Sequence, residues 1–150
     1  MSDCWINIIP KEPQFVPTQD AQTQALAYMK QIVGRADEVT VQLTKEVRFV
    51  DCGENFERAT CPACGADVDI EWWKEEMERQ FECGYTLEPV ELPCCSRKIS
   101  MAALSYDWPQ GYARFSVEAM NPEVPDLTSE QIRHFEALLG CAVIKVLQHI

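Results

Sequence analysis

Four cysteines in two close pairs are the residues in this sequence best suited to chemistry. Cys61 and Cys64 belong to the segment Cys-Pro-Ala-Cys-Gly, and Cys94 and Cys95 are adjacent. Two thiolates separated by two residues bind one metal ion when the chain turns beneath them, and the glycine that follows permits that turn. Four thiolates close a tetrahedral structural zinc site with no open position for water. The spacing therefore predicts a structural Zn²⁺ ion held by these four thiolates.

Two details of the spacing depart from a compact zinc ribbon. The interval between the pairs, residues 65–93, exceeds the roughly 15 to 20 residues typical of a ribbon, although a helix inserted there would account for the excess. Adjacent side chains diverge, so a tight turn must bring Cys94 and Cys95 to one ion, and Cys83 is the substitute ligand if one of them does not bind. A dithiol redox pair and an iron site are the alternatives for the same thiols.

A second informative segment lies between the cysteine pairs. Residues 67–82 contain seven acidic side chains against two basic ones, and on a helix four of the acids fall in one narrow stripe: Glu71, Glu75, Glu78 and Glu82. The ordinary interpretation of such a stripe is a solvated face. The sharper interpretation is a contact surface for a basic protein, with Trp72 beside the acids as an exposed aromatic anchor unless the loop containing Trp108 covers it.

Composition and charge exclude several classes of function. The 24 acidic and 13 basic side chains leave a formal charge of -11, which is the wrong sign for gripping phosphate backbones, so we expect no nucleic-acid partner. No apolar run approaches the roughly 18 residues of a membrane span. The first residues lack the basic and apolar regions of a signal peptide. Eight cysteines are many for a cytoplasmic chain, where thiols stay reduced and clusters of them usually indicate metal or redox chemistry. We expect a cytoplasmic protein.

The sequence offers little for catalysis. Its two histidines, His134 and His149, are predicted to have structural roles. The six glycines stand far apart, so no phosphate-binding loop is present. A closed four-thiolate site cannot activate water without losing a ligand. These features favour a protein that is not an enzyme.

Hydrophobic periodicity predicts one α+β domain over residues 1–150, a mixed sheet covered by about three helices, with an embedded metal subsite at 61–95 that contains an inserted helix. We expect helices over residues 18–33 and 67–82 and a third that starts in a capping box at Thr128 and Gln131 and stops at Gly140. Strands are expected over residues 4–9, 39–43, 47–50, 87–92, 113–120 and 142–149, with a hairpin turn at 44–46. The two ends share a strand-helix-strand layout, which suggests two such halves around one sheet.

Several segments carry a resemblance. The strings Glu-Val-Arg-Phe-Val-Asp at 46–51, Cys-Pro-Ala-Cys-Gly at 61–65, Pro-Cys-Cys at 93–95 and Tyr-Asp-Trp-Pro at 106–109 together resemble a family of small, uncharacterised bacterial proteins with a ribbon-like metal motif. The resemblance covers most of the chain and implies no particular activity. In size, acidity and lack of catalytic residues the chain is also similar to bacterial immunity proteins, which neutralise a cognate toxin by binding it.

These observations lead to an expectation about function. The leading hypothesis is a non-enzymatic, zinc-stabilised protein that binds a basic protein partner, most concretely a toxin, through Glu71, Trp72, Glu75, Glu78 and Glu82. The competing hypothesis is a metal- or thiol-dependent enzyme that uses Cys83, Cys94 or Cys95 as a reactive thiol. A third hypothesis is a structural subunit whose zinc ion stabilises it inside a larger complex.

Overall fold

The computed structural model describes residues 2–150 and contains, within them, three α-helices, eight β-strands and one short 3-10 helix. The helices are α1 (Gln19–Ile32), α2 (Ile70–Cys83) and α3 (Ser129–Leu139), and the 3-10 helix is Met101–Ala103. The strands are β1 (Cys4–Pro10), β2 (Glu38–Val50), β3 (Ala59–Thr60), β4 (Val90–Glu91), β5 (Lys98–Ile99), β6 (Ser105–Tyr106), β7 (Gly111–Met120) and β8 (Val143–His149). No helix among these residues is long and apolar enough to span a membrane.

Four strands form the main sheet, in the order β2-β7-β1-β8. All three pairings in it are antiparallel, and one isolated parallel bridge joins Gly53 to His149. The halves β1-α1-β2 and β7-α3-β8 are interlocked, because the second strand of each half pairs with the first strand of the other. This is the split β-α-β connectivity, and it confirms the predicted α+β class and the two strand-helix-strand halves.

The main core lies between this sheet and the pair α1 and α3. Alternate residues of the two central strands point into it, among them Ile6 and Ile8 of β1 and Phe115 and Val117 of β7, and each is almost fully buried. Phe135 of α3 fills the space between helices and sheet. Because strand side chains alternate between faces, these positions could be predicted from the period of two in the sequence.

The helix ends follow the local signals in the sequence. Thr18 caps α1 by accepting a hydrogen bond from the amide of Ala21 at 3.1 Å. Thr128 and Gln131 form the predicted capping box on α3, and Gly140 ends that helix in a left-handed conformation with φ of +76°. These caps satisfy backbone groups that the first and last turns leave unpaired.

The predicted hairpin turn at 44–46 is wrong. Residues 38–50 form one strand, β2, which pairs with β7 on both sides of this segment, and the register jumps from Leu43 opposite Phe115 to Arg48 opposite Ala113. Arg114 stabilises this bulge, since its Nε donates to the carbonyl of Thr44 at 3.1 Å while its own carbonyl accepts from the Thr44 hydroxyl at 3.3 Å. The extra residues therefore bulge out of one strand and do not reverse the chain.

Two other boundaries differ from the expectation. The strand predicted over 87–92 is confined to Val90–Glu91, because Leu87 adopts a positive φ of 61°, which breaks extended pairing. Helix α2 starts at Ile70 and not at 67, since the Asp69 carboxylate caps it by accepting from the amide of Glu71 at 2.9 Å. Asp67 is used elsewhere, in a two-point ion pair with Arg58.

The chain between β2 and β7, residues 51–110, carries α2 and two small two-stranded sheets, β3-β6 and β4-β5. A second buried cluster joins this insertion to the main sheet. Trp73 and Met77 of α2 pack there with Val47 of β2 and Tyr112 of β7, and the indole N–H of Trp73 donates to the Tyr106 hydroxyl at 3.1 Å. This packing sets the place of α2 and of the chain turns on either side of it.

Candidate metal centre

The four predicted cysteines come together on either side of α2. Their sulfur atoms, in Cys61, Cys64, Cys94 and Cys95, all lie within 4.8 Å of one another, and the Sγ atoms of Cys61 and Cys95 are 3.9 Å apart. In a tetrahedral site with Zn–S bonds of about 2.3 Å, the sulfurs are about 3.8 Å apart. The cluster can therefore hold a metal ion after movements smaller than a bond length.

The first cysteine turn, residues 61–66, places two of these thiols. The amide of Gly65 donates to the carbonyl of Cys61 at 2.9 Å, and the amide of Cys61 donates to the carbonyl of Ala66 at 2.9 Å. Gly65 has a φ of +75°, which a residue without Cβ adopts at little cost. The amide of Ala63 also points at the Cys61 sulfur, 3.4 Å away. The turn therefore presents both thiols to one side and supplies an N–H to one sulfur.

The second cysteine turn, residues 92–97, repeats this backbone. The amide of Ser96 donates to the carbonyl of Leu92 at 2.9 Å, the amide of Leu92 donates to the carbonyl of Arg97 at 2.9 Å, and Ser96 has a φ of +61°. Aligned bond for bond, Leu92 occupies the place of Cys61, Cys95 that of Cys64, and Cys94 that of Ala63. The second turn thus lacks the usual first cysteine, and Cys94 supplies the missing thiol.

This equivalence explains how adjacent cysteines reach one ion. Position three of the turn lies at its bend, so the side chains at positions three and four both reach the cluster although they are neighbours. Leu92 and Cys61 are both buried in the second cluster, and Cys61 also faces the other sulfurs. Leu92 therefore anchors the second turn by packing alone, whereas Cys61 both packs and contributes a thiol to the cysteine cluster.

Short β-pairings hold the two turns at fixed positions. The second turn connects β4 to β5, with Val90 opposite Ile99 and Glu91 opposite Lys98. The first turn follows β3, and a bridge between Thr60 and Asp67 closes it. Both are the small hairpins of a ribbon-like site, and each orders its turn before a metal binds.

Two thiols of the cysteine cluster differ strongly in pKa. Burial raises the pKa of the Cys61 thiol, but hydrogen bonds from the amides of Cys64 and Ala63 and from neighbouring thiols outweigh it and hold this pKa at about 7. Burial and hydrogen bonds with the surrounding sulfurs raise the pKa of Cys94 to about 12. Cys61 therefore ionises before Cys94, and an arriving cation must displace the proton of Cys94.

The other cysteines lie outside the cluster. Cys83, the predicted substitute ligand, is exposed at the end of α2 and is not needed, because Cys94 and Cys95 both join the group. Cys52 is buried, and burial raises its pKa to about 11. Cys4 is exposed, because it lies at the outer end of β1. The two histidines are surface residues: His134 stacks on Tyr28 and His149 faces Glu54.

Helix α2 presents the predicted acidic stripe to solvent. Its four members, Glu71, Glu75, Glu78 and Glu82, are all exposed. None of them forms an ion pair with any residue in the described part of the chain, whereas Glu76, outside the stripe, is paired with Arg79. Trp72 is partly buried and packs against the second cluster. The stripe is thus a run of four exposed carboxylates that lie near Lys74 and Arg79 on the same helix but form no ion pair with either of them.

One aromatic residue of α2 is largely exposed. Phe81 falls on the apolar face of the helix but is 73% exposed, because α2 ends two residues later at Cys83. Phe81 stands at the mouth of a cavity of about 340 Å³ that we call the aromatic cavity. Its lining includes the rings of Phe49, Phe56, Trp73, Phe81 and Tyr85 and the carboxylates of Asp51 and Glu78.

Comparison with protein-family models, with curated proteins and with solved structures finds no match for this chain. Its function must therefore be inferred from its own residues.

Proposed function

We propose that the cysteine cluster binds one structural Zn²⁺ ion. Four thiolates give a closed, tetrahedral, sulfur-only site, which is the arrangement that structural zinc prefers. The repeated turns at 61–66 and 92–97 are the observation that supports this proposal, since two matching hairpin turns that face each other are the usual frame of a zinc ribbon. Iron is the other metal that such a site takes.

Elemental analysis and thiol alkylation test this proposal together. We expect one zinc atom per chain and slow alkylation of Cys94 and Cys95 until a chelator removes the ion. One iron atom per chain, with the visible absorption of an iron-thiolate site, would show that the metal is wrongly assigned. Rapid alkylation of either cysteine with zinc retained would support a reactive thiol and hence the enzymatic hypothesis.

We further propose that this protein is a non-enzymatic binding protein of the bacterial cytoplasm, whose partner is a basic protein. The single observation that carries the proposal is the acidic stripe on α2. Four exposed carboxylates in a row, without ion-pair partners among the described residues, repel each other and lower the stability of the helix they lie on. A basic partner would remove that repulsion and gain complementary charge.

Toxin neutralisation is the most concrete version of this function. Many toxins act on nucleic acids and must present a basic face to their substrate. An acidic surface that covers this face blocks substrate binding, and electrostatic attraction speeds the encounter. The small size and the formal charge of -11 suit such a role.

A capture experiment with charge-matched variants tests the partner proposal. The intact zinc-loaded protein is used as bait in a lysate of its host, at about 50 mM and about 500 mM salt, because surface charge effects fade as the Debye length shrinks. The stripe variant carries Glu→Gln at positions 71, 75, 78 and 82. The control variant carries the same change at exposed Glu12, Glu38, Glu46 and Glu57.

Both variants lose the same total charge, so the comparison isolates the position of that charge. We expect the wild type and the control to recover a basic protein at low salt, and the stripe variant to lose it. Equal loss in both variants would mean that net charge alone attracts the partner. Recovery of no basic, salt-sensitive partner by the wild type would refute the proposal.

A further inference from the structure

The aromatic cavity lies directly beside the acidic stripe. Glu78 belongs to both, since it is the third carboxylate of the stripe and part of the cavity lining. The remaining lining residues come from α2 itself, from β2 and the chain just after it, from the segment after α2 and from the residue before β7. A partner that binds along the stripe therefore passes over the mouth of the cavity.

The rings that line the cavity contact one another, at the centroid distances of about 4.5 to 7 Å that are typical of aromatic pairs. Tyr85 lies between Phe49 and Phe81, with centroid distances of 6.4 Å and 6.5 Å. On the other side Trp73 and Phe56 are stacked at 4.6 Å. The faces of aromatic rings carry partial negative charge and attract cations that come within about 6 Å of the centroid.

Carboxylates reinforce the attraction for a cation. Asp51 is held in place because it accepts hydrogen bonds from the amide of Gly53 at 3.0 Å and from Gln148 at 3.2 Å. Burial, and after it the charge of Asp51, raise the pKa of Tyr85, and both residues line the cavity. No lysine or arginine is among the residues that line the cavity, so its positive counterpart must come from outside.

The exposure of Phe81 indicates that the occupant belongs to a large partner. A phenyl ring that is 73% exposed at the mouth leaves apolar area in water, where each Å² costs about 25 cal/mol. A free small cation seated among the inner rings would leave Phe81 uncovered. A protein surface that inserts one side chain would cover it.

We propose that the aromatic cavity receives an arginine side chain of the basic partner. Arginine suits it because the planar guanidinium stacks on aromatic faces while its N–H groups bind carboxylates. This inference rests on the proposed function and assigns a specific contact within it: Phe81 and Tyr85 cover the aliphatic part and the guanidinium plane, and Glu78 and Asp51 bind the charge.

Binding of a nona-arginine peptide to the zinc-loaded protein tests the proposal by calorimetry at about 50 mM salt, a concentration at which surface charges are weakly screened. The first variant is Phe81→Ala, and its control is Leu43→Ala, which removes an apolar side chain that is 50% exposed on β2. The second variant is Glu78→Gln, and its control is Glu38→Gln, an exposed carboxylate at the start of β2 that belongs neither to the stripe nor to the cavity lining. All four changed residues are exposed, and thermal melting verifies that each variant is folded.

Each outcome has a distinct meaning. We expect Phe81→Ala and Glu78→Gln each to weaken binding about threefold to thirtyfold, the range for partly desolvated cation–π and ionic contacts, and the controls to change it less than twofold. If Phe81→Ala binds as the wild type does while Glu78→Gln still weakens binding, the cavity proposal is refuted and the acidic-surface function stands. If the wild type does not bind the peptide although it captures a basic partner from lysate, the cavity proposal alone fails.

Discussion

The equivalence of the two cysteine turns makes a sharp prediction about position 92. Leu92 occupies the place that a metal ligand, Cys61, occupies in the first turn. If the two turns are equivalent, a cysteine at position 92 presents its sulfur to the same ion. The double variant Leu92→Cys with Cys94→Ala should then restore a site that Cys94→Ala damages.

The magnitudes follow from the burial and the ligand count. Cys94→Ala leaves three thiolates. Loss of a hydrogen bond that supports a metal ligand already lowers metal affinity about 10- to 100-fold, and we expect loss of the ligand itself to lower it by more. A 100-fold loss of affinity corresponds to about 2.7 kcal/mol of metal-dependent stability. Leu92 is fully buried. Leu→Cys should cost the metal-free protein about 2 kcal/mol, the low end for large-to-small core changes, because the sulfur fills part of the space.

Cobalt substitution and thermal melting measure both effects. Thiolate-to-cobalt absorption reports the number of sulfur ligands, and competition with a chelating dye gives the affinity. We expect weak binding in Cys94→Ala and strong binding with the absorption of four thiolates in the double variant. The melting temperature of the metal-free double variant should be lower by about 4 to 8 °C, as about 2 kcal/mol implies for a chain of this length.

The control is Cys83→Ala, which removes an exposed thiol outside the cluster and should leave metal binding unchanged. Two results would contradict the reasoning. Wild-type affinity in Cys94→Ala would show that Cys94 is not a ligand. A double variant that binds no better than Cys94→Ala would show that the two turns present their first positions differently.

The remaining predictions concern stability. Removal of the metal with a chelator should lower the free energy of unfolding by about 3 to 4 kcal/mol when free zinc had been 100 to 1,000 times its dissociation constant, measured by urea titration with and without zinc. Phe115→Ala, in the main core, should cost about 3 to 5 kcal/mol in the same titration, and a cost below 1 kcal/mol would contradict the packing described. Thr128→Ala should cost about 1 kcal/mol through loss of the capping box, with Ser as the control that retains the cap. Burial raises the pKa of Tyr106 to about 12. Because the folded state favours the protonated hydroxyl, the stability that this preference gives the protein is fully present below about pH 10 and is lost as pH rises through about 12. In Tyr106→Phe the alkaline unfolding transition should therefore shift to higher pH. The same variant should lose about 1 kcal/mol of stability near neutral pH, because the indole N–H of Trp73 loses its acceptor. An unchanged alkaline transition would argue against this role of Tyr106.

Features governed by neighbouring residues in the chain could be predicted from the sequence. The capping box at Thr128, the stop at Gly140 and the alternation that buries Ile6, Ile8 and Phe115 all depend on contacts within a few residues or on the periodicity of an element. The set of four cysteines belongs here too, because the chemistry of thiolates restricts what such a group can do.

The tertiary structure decided what depends on residues far apart in the chain. Strand β2 continues through residues 44–46 because Arg114, on another strand, holds the bulge. Phe81 is exposed because the chain turns away after α2, which no helical periodicity reveals. Cys94 joins the cluster because the second turn copies the hydrogen bonds of the first, with Leu92 in place of a ligand. In each case distant backbone and packing outweigh the local preference, since contacts between separate elements decide which of several locally acceptable conformations is adopted.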